Sequence, residues 1–104
     1  MKSPATCTSL SEVRTEIDRI DQEIIALIGQ RAQYVQAAAQ FKTSTTSVRA
    51  PDRYAAMLAQ RRLWAEAAQI DPDVIEQIYR TLVDYFIEQE LREWQANGND
   101  KVRE

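Results

Sequence analysis

Three basic side chains on one predicted helix are the residues of this sequence best suited to chemistry. Arg14, Arg31 and Lys42 recur at helical spacing along a line that is otherwise mainly apolar. Arginine binds a carboxylate through two parallel hydrogen bonds, and lysine adds a compact point charge. Cations on an apolar helix face are costly to bury without a partner. We therefore predict that they bind a small molecule with two carboxylates.

A structural role for the same cations is the alternative interpretation. Asp21 lies on the same line, and Asp18 stands four residues after Arg14, so ion pairs within the helix would also satisfy them. An arginine can also lay its aliphatic stem on an apolar surface and keep its charge in water. Spacing does not reveal burial, so both interpretations stay open at this point.

A long first helix positions these residues. Residues 10–42 contain no proline and would span about 50 Å at ~1.5 Å per residue. Ser9 and Glu12 have the spacing of a capping box at its start. The line that holds the cations comprises Arg14, Ile17, Asp21, Ile24, Ile28, Arg31, Val35, Ala38 and Lys42. A neighbouring line is apolar throughout and comprises Val13, Ile20, Leu27, Tyr34 and Phe41.

Two further helices complete one predicted domain, residues 1–98. Residues 43–50 are rich in Ser and Thr and are predicted to form a loop. Pro51 suits the first turn of a second helix, and Asp71 followed by Pro72 marks the start of a third. Asn97-Gly98 would end that helix, and residues 99–104 form a charged tail. No strand pattern is present, which predicts an all-α fold.

Composition excludes several functional classes. The net charge of −3 gives no indication of a nucleic-acid or anionic-membrane surface. No apolar run reaches the roughly 20 residues of a membrane span, and the N-terminal residues do not resemble a signal peptide. A single cysteine, Cys7, fits a reducing cytoplasm and has no role that we can argue. The absence of histidine excludes Ser–His and Cys–His nucleophiles and the usual zinc sites.

The spacing of the cations predicts a homodimer. Arg14 and Arg31 are separated by 17 residues, about 25 Å along one helix, which is too far for both to hold one small ligand. A 50 Å apolar stripe would also stay partly bare in a single small chain. Antiparallel pairing of two first helices would place Arg14 of one chain near Arg31 and Lys42 of the other. Two equivalent shared sites would result.

The same residues resemble those of the all-helical chorismate mutase family. The resemblance is closer to its branch of isochorismate-pyruvate lyases, which make salicylate for siderophores. It is carried by the opening MKSPxxCxxL and by the segments VRxxIDRIDxxI, RAQYVQAAAQFK, APDRYAAML and RRLWAE, and it covers residues 1–95. It implies an intertwined dimer of three-helix chains, with each site completed by an arginine of the partner, and a reaction without metal or organic cofactor.

The resemblance also implies roles for individual residues. Arg31 and Lys42 would hold the carboxylate and ether region of the substrate, and Arg14 would come from the other subunit. Arg53 would help to bind the second carboxylate, residues 43–50 would form a lid, and Ile87 would pack on the substrate ring. From the sequence alone, Arg53 is equally a solvated residue of a first helical turn, and Ile87 an ordinary core residue.

One position departs from the lyase branch. Ungapped alignment places Glu90 where that branch has glutamine, although Gln89 stands next to it. Glutamine would donate a hydrogen bond to the ether oxygen of the breaking bond, whereas glutamate can donate only when protonated. Some mutases of this fold have glutamate there. Glu90 could instead serve only to neutralise Lys42.

Three functions are therefore consistent with the sequence. The resemblance favours pericyclic loss of pyruvate from isochorismate, with Lys42 and Glu90 as catalytic residues and weak mutase activity beside it. The nearest alternative is a chorismate mutase, which converts chorismate to prephenate. The third is a helical dimer without enzymatic activity, in which ion pairs between the chains neutralise the cations.

Overall fold

The computed structural model describes residues 1–96, and within that range it contains helices and no β-strands. A short 3₁₀ turn, Pro4–Thr6, precedes four helices: α1 (Leu10–Ala39), α2 (Thr45–Arg49), α3 (Pro51–Ala67) and α4 (Pro72–Ala96). The all-α prediction and the three long helices are confirmed. The predicted end at Asn97-Gly98 and the charged tail lie outside the described residues. Each helix of the described region is too short or too polar to span a bilayer.

Contacts divide the chain into two units, Met1–Val35 and Gln36–Glu104. In the first unit, the Glu12 carboxylate fixes the start of α1. Its Oε1 accepts hydrogen bonds from the Thr8 backbone N–H at 2.7 Å and the Thr8 hydroxyl at 3.0 Å, and its Oε2 pairs with the Lys2 ammonium at 2.9 Å. The Glu12 N–H donates to the Ser9 hydroxyl at 3.1 Å. The Ser9 cap is thus confirmed, but Glu12 bonds to Thr8 rather than to Ser9.

Helix α1 ends three residues earlier than the sequence predicts. The backbone N–H groups of Phe41 and Lys42 donate to the carbonyls of Ala38 and Ala39, three residues before each of them, at 3.0 and 3.1 Å. This spacing is that of a tight 3₁₀-type turn, which commonly closes an α-helix. Lys42 therefore lies just beyond α1 and not on its heptad line.

A short helix, α2, occupies the segment predicted to be a loop. Ser44 and Ser47 form a reciprocal capping box: the Ser44 hydroxyl accepts from the Ser47 N–H at 3.1 Å, and the Ser47 hydroxyl accepts from the Ser44 N–H at 3.0 Å. Helix α2 packs against α4. Val48, which is only 2% exposed, is the apolar residue that anchors α2. Ala50 ends it in the left-handed conformation, at φ 41°.

Helices α3 and α4 form the main packing of the second unit. Pro51 and Pro72 begin them as predicted, and the Asp71 carboxylate accepts the Asp73 N–H at 2.9 Å. The buried residues on these two helices are Met57, Leu58, Ala65, Glu90 and Trp94. Trp64, on α3, is 54% exposed in this chain. It stacks under the Arg61 guanidinium, 4.6 Å from the ring centroid.

We predict that Val48 holds α2 in place. Val48→Ala should lower the free energy of unfolding by about 1–3 kcal/mol, because it removes buried methyl groups and leaves a cavity. It should also speed amide exchange at Ala50, whose N–H donates to the Thr46 carbonyl at 2.7 Å. Thr46→Ala is the matched control, since Thr46 is exposed on the same helix. Equal effects of the two substitutions would contradict the prediction.

Candidate functional site

The two residues predicted to be catalytic are in direct contact. The Lys42 ammonium donates a hydrogen bond to Glu90 Oε1 at 3.2 Å and lies 3.1 Å from Glu90 Oε2. The turn after α1 supplies Lys42, and the last third of α4 supplies Glu90, 48 residues later. Glu90 is 6% exposed, and the Lys42 side chain is 23% exposed. The ungapped register that selected Glu90 rather than Gln89 therefore agrees with this contact, and Gln89 is exposed.

One oxygen of the buried carboxylate lacks a hydrogen bond. Glu90 Oε2 is close enough to Lys42 for an ion pair, but no donor among the described residues reaches it with hydrogen-bond geometry. Beside the pair lies a cavity of about 400 Å³, lined by Gln36, Ala39, Gln40, Lys42, Glu90, Glu93 and Trp94. A ligand there would meet an ammonium group, a carboxyl group and amide side chains. Such a site can both bind an anion and stabilise charge on an oxygen atom.

Ile87 lines a different cavity. One turn before Glu90 on α4, it contributes to a groove of about 570 Å³ whose wall includes Tyr54 and Leu58 of α3 and Arg49 at the end of α2. The prediction that Ile87 contacts the same ligand as Lys42 remains untested. In this chain, Lys42 and Glu90 line one cavity and Ile87 lines the other.

The three arginines predicted to bind substrate differ in exposure. Arg14 and Arg53 are exposed, and neither has a hydrogen bond or ion pair within residues 1–96. The proposed structural pair of Arg14 with Asp18 is accordingly not formed. Arg31 is half-buried on α1 and does make a polar or ring contact. Arg53 lines neither of the two cavities described above.

No sequence pattern predicts the polar pair that lies in the second cavity. The Tyr54 hydroxyl donates to Asp84 Oδ1 at 2.6 Å, across 30 residues of sequence. Burial raises the pKa of Tyr54, and the Asp84 carboxylate raises it further, so the phenol stays a neutral donor well above neutral pH. Arg49 was overlooked because it falls in the segment predicted to be a loop. Its place at the end of a capped helix could have been inferred from the Ser44–Ser47 spacing.

Comparison with known proteins gives consistent results. The family model described as chorismate mutase type II matches residues 13–91. A Pseudomonas aeruginosa protein named isochorismate pyruvate lyase is 39% identical over 94 residues, which cover 90% of this chain and 93% of that protein. The T-protein of Haemophilus influenzae is 37% identical over 92 residues, 88% of this chain but 22% of the T-protein. The T-protein of Enterobacter agglomerans is 32% identical over 93 residues, 23% of its length.

We predict strong energetic coupling between Lys42 and Glu90. In a double-mutant cycle of Lys42→Met and Glu90→Gln, the coupling energy from urea unfolding should be about 1–3 kcal/mol, because Glu90 is shielded from water. The Arg92–Glu88 pair, at 3.2 Å with both side chains at least 70% exposed, is the matched control on the same helix. It should give no more than ~0.5 kcal/mol. Similar coupling in the two cycles would show that burial does not strengthen the Lys42 contact.

Proposed function

This chain belongs to the chorismate mutase type II family, and we propose that it acts as an isochorismate pyruvate lyase. The observation that carries the proposal is the 39% identity to a protein of that name, which extends over nearly the full length of both chains. The buried Lys42–Glu90 pair beside a cavity is consistent with it. The single cysteine agrees with a reducing compartment, and we place the reaction in the cytoplasm.

The proposed reaction is a pericyclic elimination within one substrate molecule. The C–O bond between the ring and the enolpyruvyl group breaks while a ring hydrogen moves to the terminal carbon of that group. The products are salicylate and pyruvate, so all atoms of isochorismate are accounted for. Because the hydrogen moves within the substrate, the protein need supply neither a nucleophile nor a general base. Its contribution is to hold a compact conformer and to stabilise charge on the ether oxygen.

Lys42 and Glu90 are the residues that we propose to contact the ether oxygen. Lys42 would place positive charge beside it as the C–O bond lengthens. The Glu90 carboxyl group, which lines the same cavity, would donate to the same oxygen when it is protonated. An ionised Glu90 would instead compete with the ether oxygen for the Lys42 ammonium, to which it already lies within 3.2 Å. In this proposal the protonated form of Glu90 is the active one.

The remaining predicted site residues would orient the two carboxylates. Arg31 would hold one carboxylate together with Lys42, Arg14 of the partner subunit would approach from the other side, and Arg53 would bind the second carboxylate. Ile87 would pack on the ring. Arg14 and Arg53 are exposed and have no ion pair within residues 1–96, so their guanidinium groups are available to an anion.

We propose that the active form is a homodimer built on α1. None of the 30 residues of α1, all of which are described, is buried in the single chain. The large apolar side chains left exposed along it include Val13, Ile17, Ile20, Ile24, Leu27 and Tyr34. Such a continuous apolar face is characteristic of an interface, and a second copy of the same helix offers a matching one.

Two other functions compete with this proposal. A chorismate mutase would use the same dicarboxylate site, and the family description together with glutamate at position 90 favours it as the second candidate. A non-enzymatic dimer would use its cations only in ion pairs between chains. Incubation with isochorismate and, separately, with chorismate distinguishes all three. Salicylate fluorescence from the first supports the lyase, prephenate alone from the second supports the mutase, and no turnover of either excludes both enzymes.

We predict that subunit mixing restores activity if sites are shared. Arg14→Ala and Lys42→Ala should each lower kcat/KM at least 100-fold, since each removes a charge that contacts the substrate. An equimolar mixture, exchanged through mild denaturant, should recover about a quarter of wild-type activity. Half the dimers would be mixed, and each mixed dimer would hold one intact site. Self-mixed samples of each variant are the controls. Absence of recovery would contradict a site shared between subunits.

We also predict that a hydrogen-bond donor at position 90 supports the rate. Glu90→Gln keeps a donor, because an amide donates without being protonated, and should retain kcat within about 10-fold of wild type. Glu90→Met removes the donor at a similar size and should lower kcat about 100-fold. Gln89→Ala, on the exposed neighbouring position, is the control and should keep the wild-type kcat. Equal effects of Glu90→Gln and Glu90→Met would remove Glu90 from the chemistry.

A further inference from the structure

The groove lined by Ile87 has the composition of a binding site, and the charged residues of the proposed reaction, Lys42 and Glu90 with the three arginines, do not line it. Its volume of about 570 Å³ lies within the roughly 300–1,000 Å³ typical of ligand pockets. Its apolar lining residues are Pro51, Ala55, Leu58, Ile87 and Leu91, and its polar ones are Arg49, Tyr54, Arg80, Asp84 and Glu88. Apolar side chains with a few polar groups at one side suit a ring with one polar substituent.

Three of the four charged residues of this groove already have partners. Arg80 pairs with Glu76 at 2.9 Å, and Glu88 pairs with Arg92 at 3.2 Å. Asp84 accepts the Tyr54 hydroxyl at 2.6 Å. The fourth, Arg49, has no hydrogen bond, ion pair or ring contact with any of residues 1–96. The Tyr54 hydroxyl is neutral, so Arg49 and Asp84 are the two charged lining residues without an ion pair among residues 1–96, and Arg49 is the one that can attract an anion.

The backbone that bears Arg49 is well anchored. Val48, the preceding residue, is the most buried apolar residue of the described chain at 2% exposure. The Ala50 N–H, on the other side, donates to the Thr46 carbonyl at 2.7 Å. A guanidinium group on a fixed backbone loses less conformational entropy when it binds an anion. Arg53, one turn further on, is also exposed but does not line this groove.

We propose that this groove binds a small carboxylic acid with an apolar ring, and that Arg49 holds its carboxylate. The ring would rest on Leu58, Ile87 and Leu91, and the guanidinium would form charge-assisted hydrogen bonds with the carboxylate. The neutral Tyr54 hydroxyl adds no negative charge. The site differs from the cavity of Lys42 and Glu90 in all its lining residues.

The test is a titration of the ¹⁵N-labelled full chain with benzoate, followed by amide chemical shifts. Shifts of Ala55 and Leu58 report on this groove, and shifts of Ala39 and Gln40 report on the Lys42 cavity. Arg49→Gln should raise the Kd obtained from Ala55 and Leu58 at least 10-fold and leave the Kd from Ala39 and Gln40 unchanged. Arg49→Lys, which keeps the charge but not the paired hydrogen bonds, should give an intermediate Kd.

Two matched controls make the outcome decisive. Arg53→Gln removes the same side chain four residues away and should leave the Kd from Ala55 and Leu58 as in wild type. Benzamide has the same ring without the charge and should bind at least 10-fold more weakly. The proposal is overturned if wild-type Ala55 and Leu58 do not shift, if Arg49→Gln has no effect, or if Arg53→Gln weakens binding equally. No turnover is involved, so failure of the proposed lyase activity leaves this test intact.

Steady-state kinetics of Arg49→Gln show whether the carboxylate bound in the groove belongs to the enzyme's own substrate or to a separate molecule. If the groove holds part of the enzyme's own substrate, Arg49→Gln should raise KM at least 10-fold while kcat changes little. If the groove serves a separate ring carboxylate, such as a product-like acid, KM should stay at the wild-type value and benzoate binding alone should be lost.

Discussion

The charge of Glu90, buried beside Lys42, is the constraint on which the rest of the second unit depends. A carboxylate that is 6% exposed is tolerated only with a partner, and Lys42 is the cation that meets it. Lys42 reaches it because α1 closes in a tight turn that takes residue 42 off the helix. The capped helix α2 follows immediately and packs on α4 through Val48. The end of α1, the short helix and α4 are thus joined around one ion pair.

The first unit is governed by a different constraint. Its helix has clear heptad patterning but no buried residue, so the apolar face that the pattern predicts has no cover within the described chain. Complete burial of a side chain such as Leu or Ile contributes about 1.5–3 kcal/mol, so leaving side chains of this kind exposed along α1 forgoes a large stabilisation. A small domain can recover it by association with another copy. In the proposed homodimer, the length of α1 and its arginines are features of the assembly rather than of one chain.

The sequence predicts the elements of this fold well and their ends less well. Proline at the first helical turn predicts the starts of α3 and α4, with Asp71 as an acidic cap before α4, and periodicity predicts α1, because these signals act within a few residues. The same local reasoning misread residues 43–50, since serines that cap a helix are also common in loops. It also extended α1 to Lys42, because apolar periodicity continues through Phe41, although the backbone has already tightened.

The site could be predicted only where spacing or resemblance supplied it. Ungapped resemblance identified Glu90, and its contact with Lys42 agrees with that register. The division between the Glu90 cavity and the Ile87 groove could not be predicted, because residues one turn apart on α4 face different neighbours only after α2 and α3 have packed. The hydrogen bond between Tyr54 and Asp84 joins residues 30 positions apart, on different helices, where helical spacing makes no prediction. Tertiary packing alone determines the division between the two cavities and the Tyr54–Asp84 hydrogen bond.

Glutamate at position 90 links stability to chemistry in a way that glutamine would not. An ionised Glu90 stabilises the fold by compensating Lys42, but it also withdraws that ammonium from any anionic or ether oxygen in the cavity. A protonated Glu90 frees the charge of Lys42 and offers a donor, but it weakens the ion pair that joins the end of α1 to α4. In the proposed mechanism, activity and stability therefore favour opposite protonation states of Glu90. This opposition is an instance of the general cost that functional sites impose on folding.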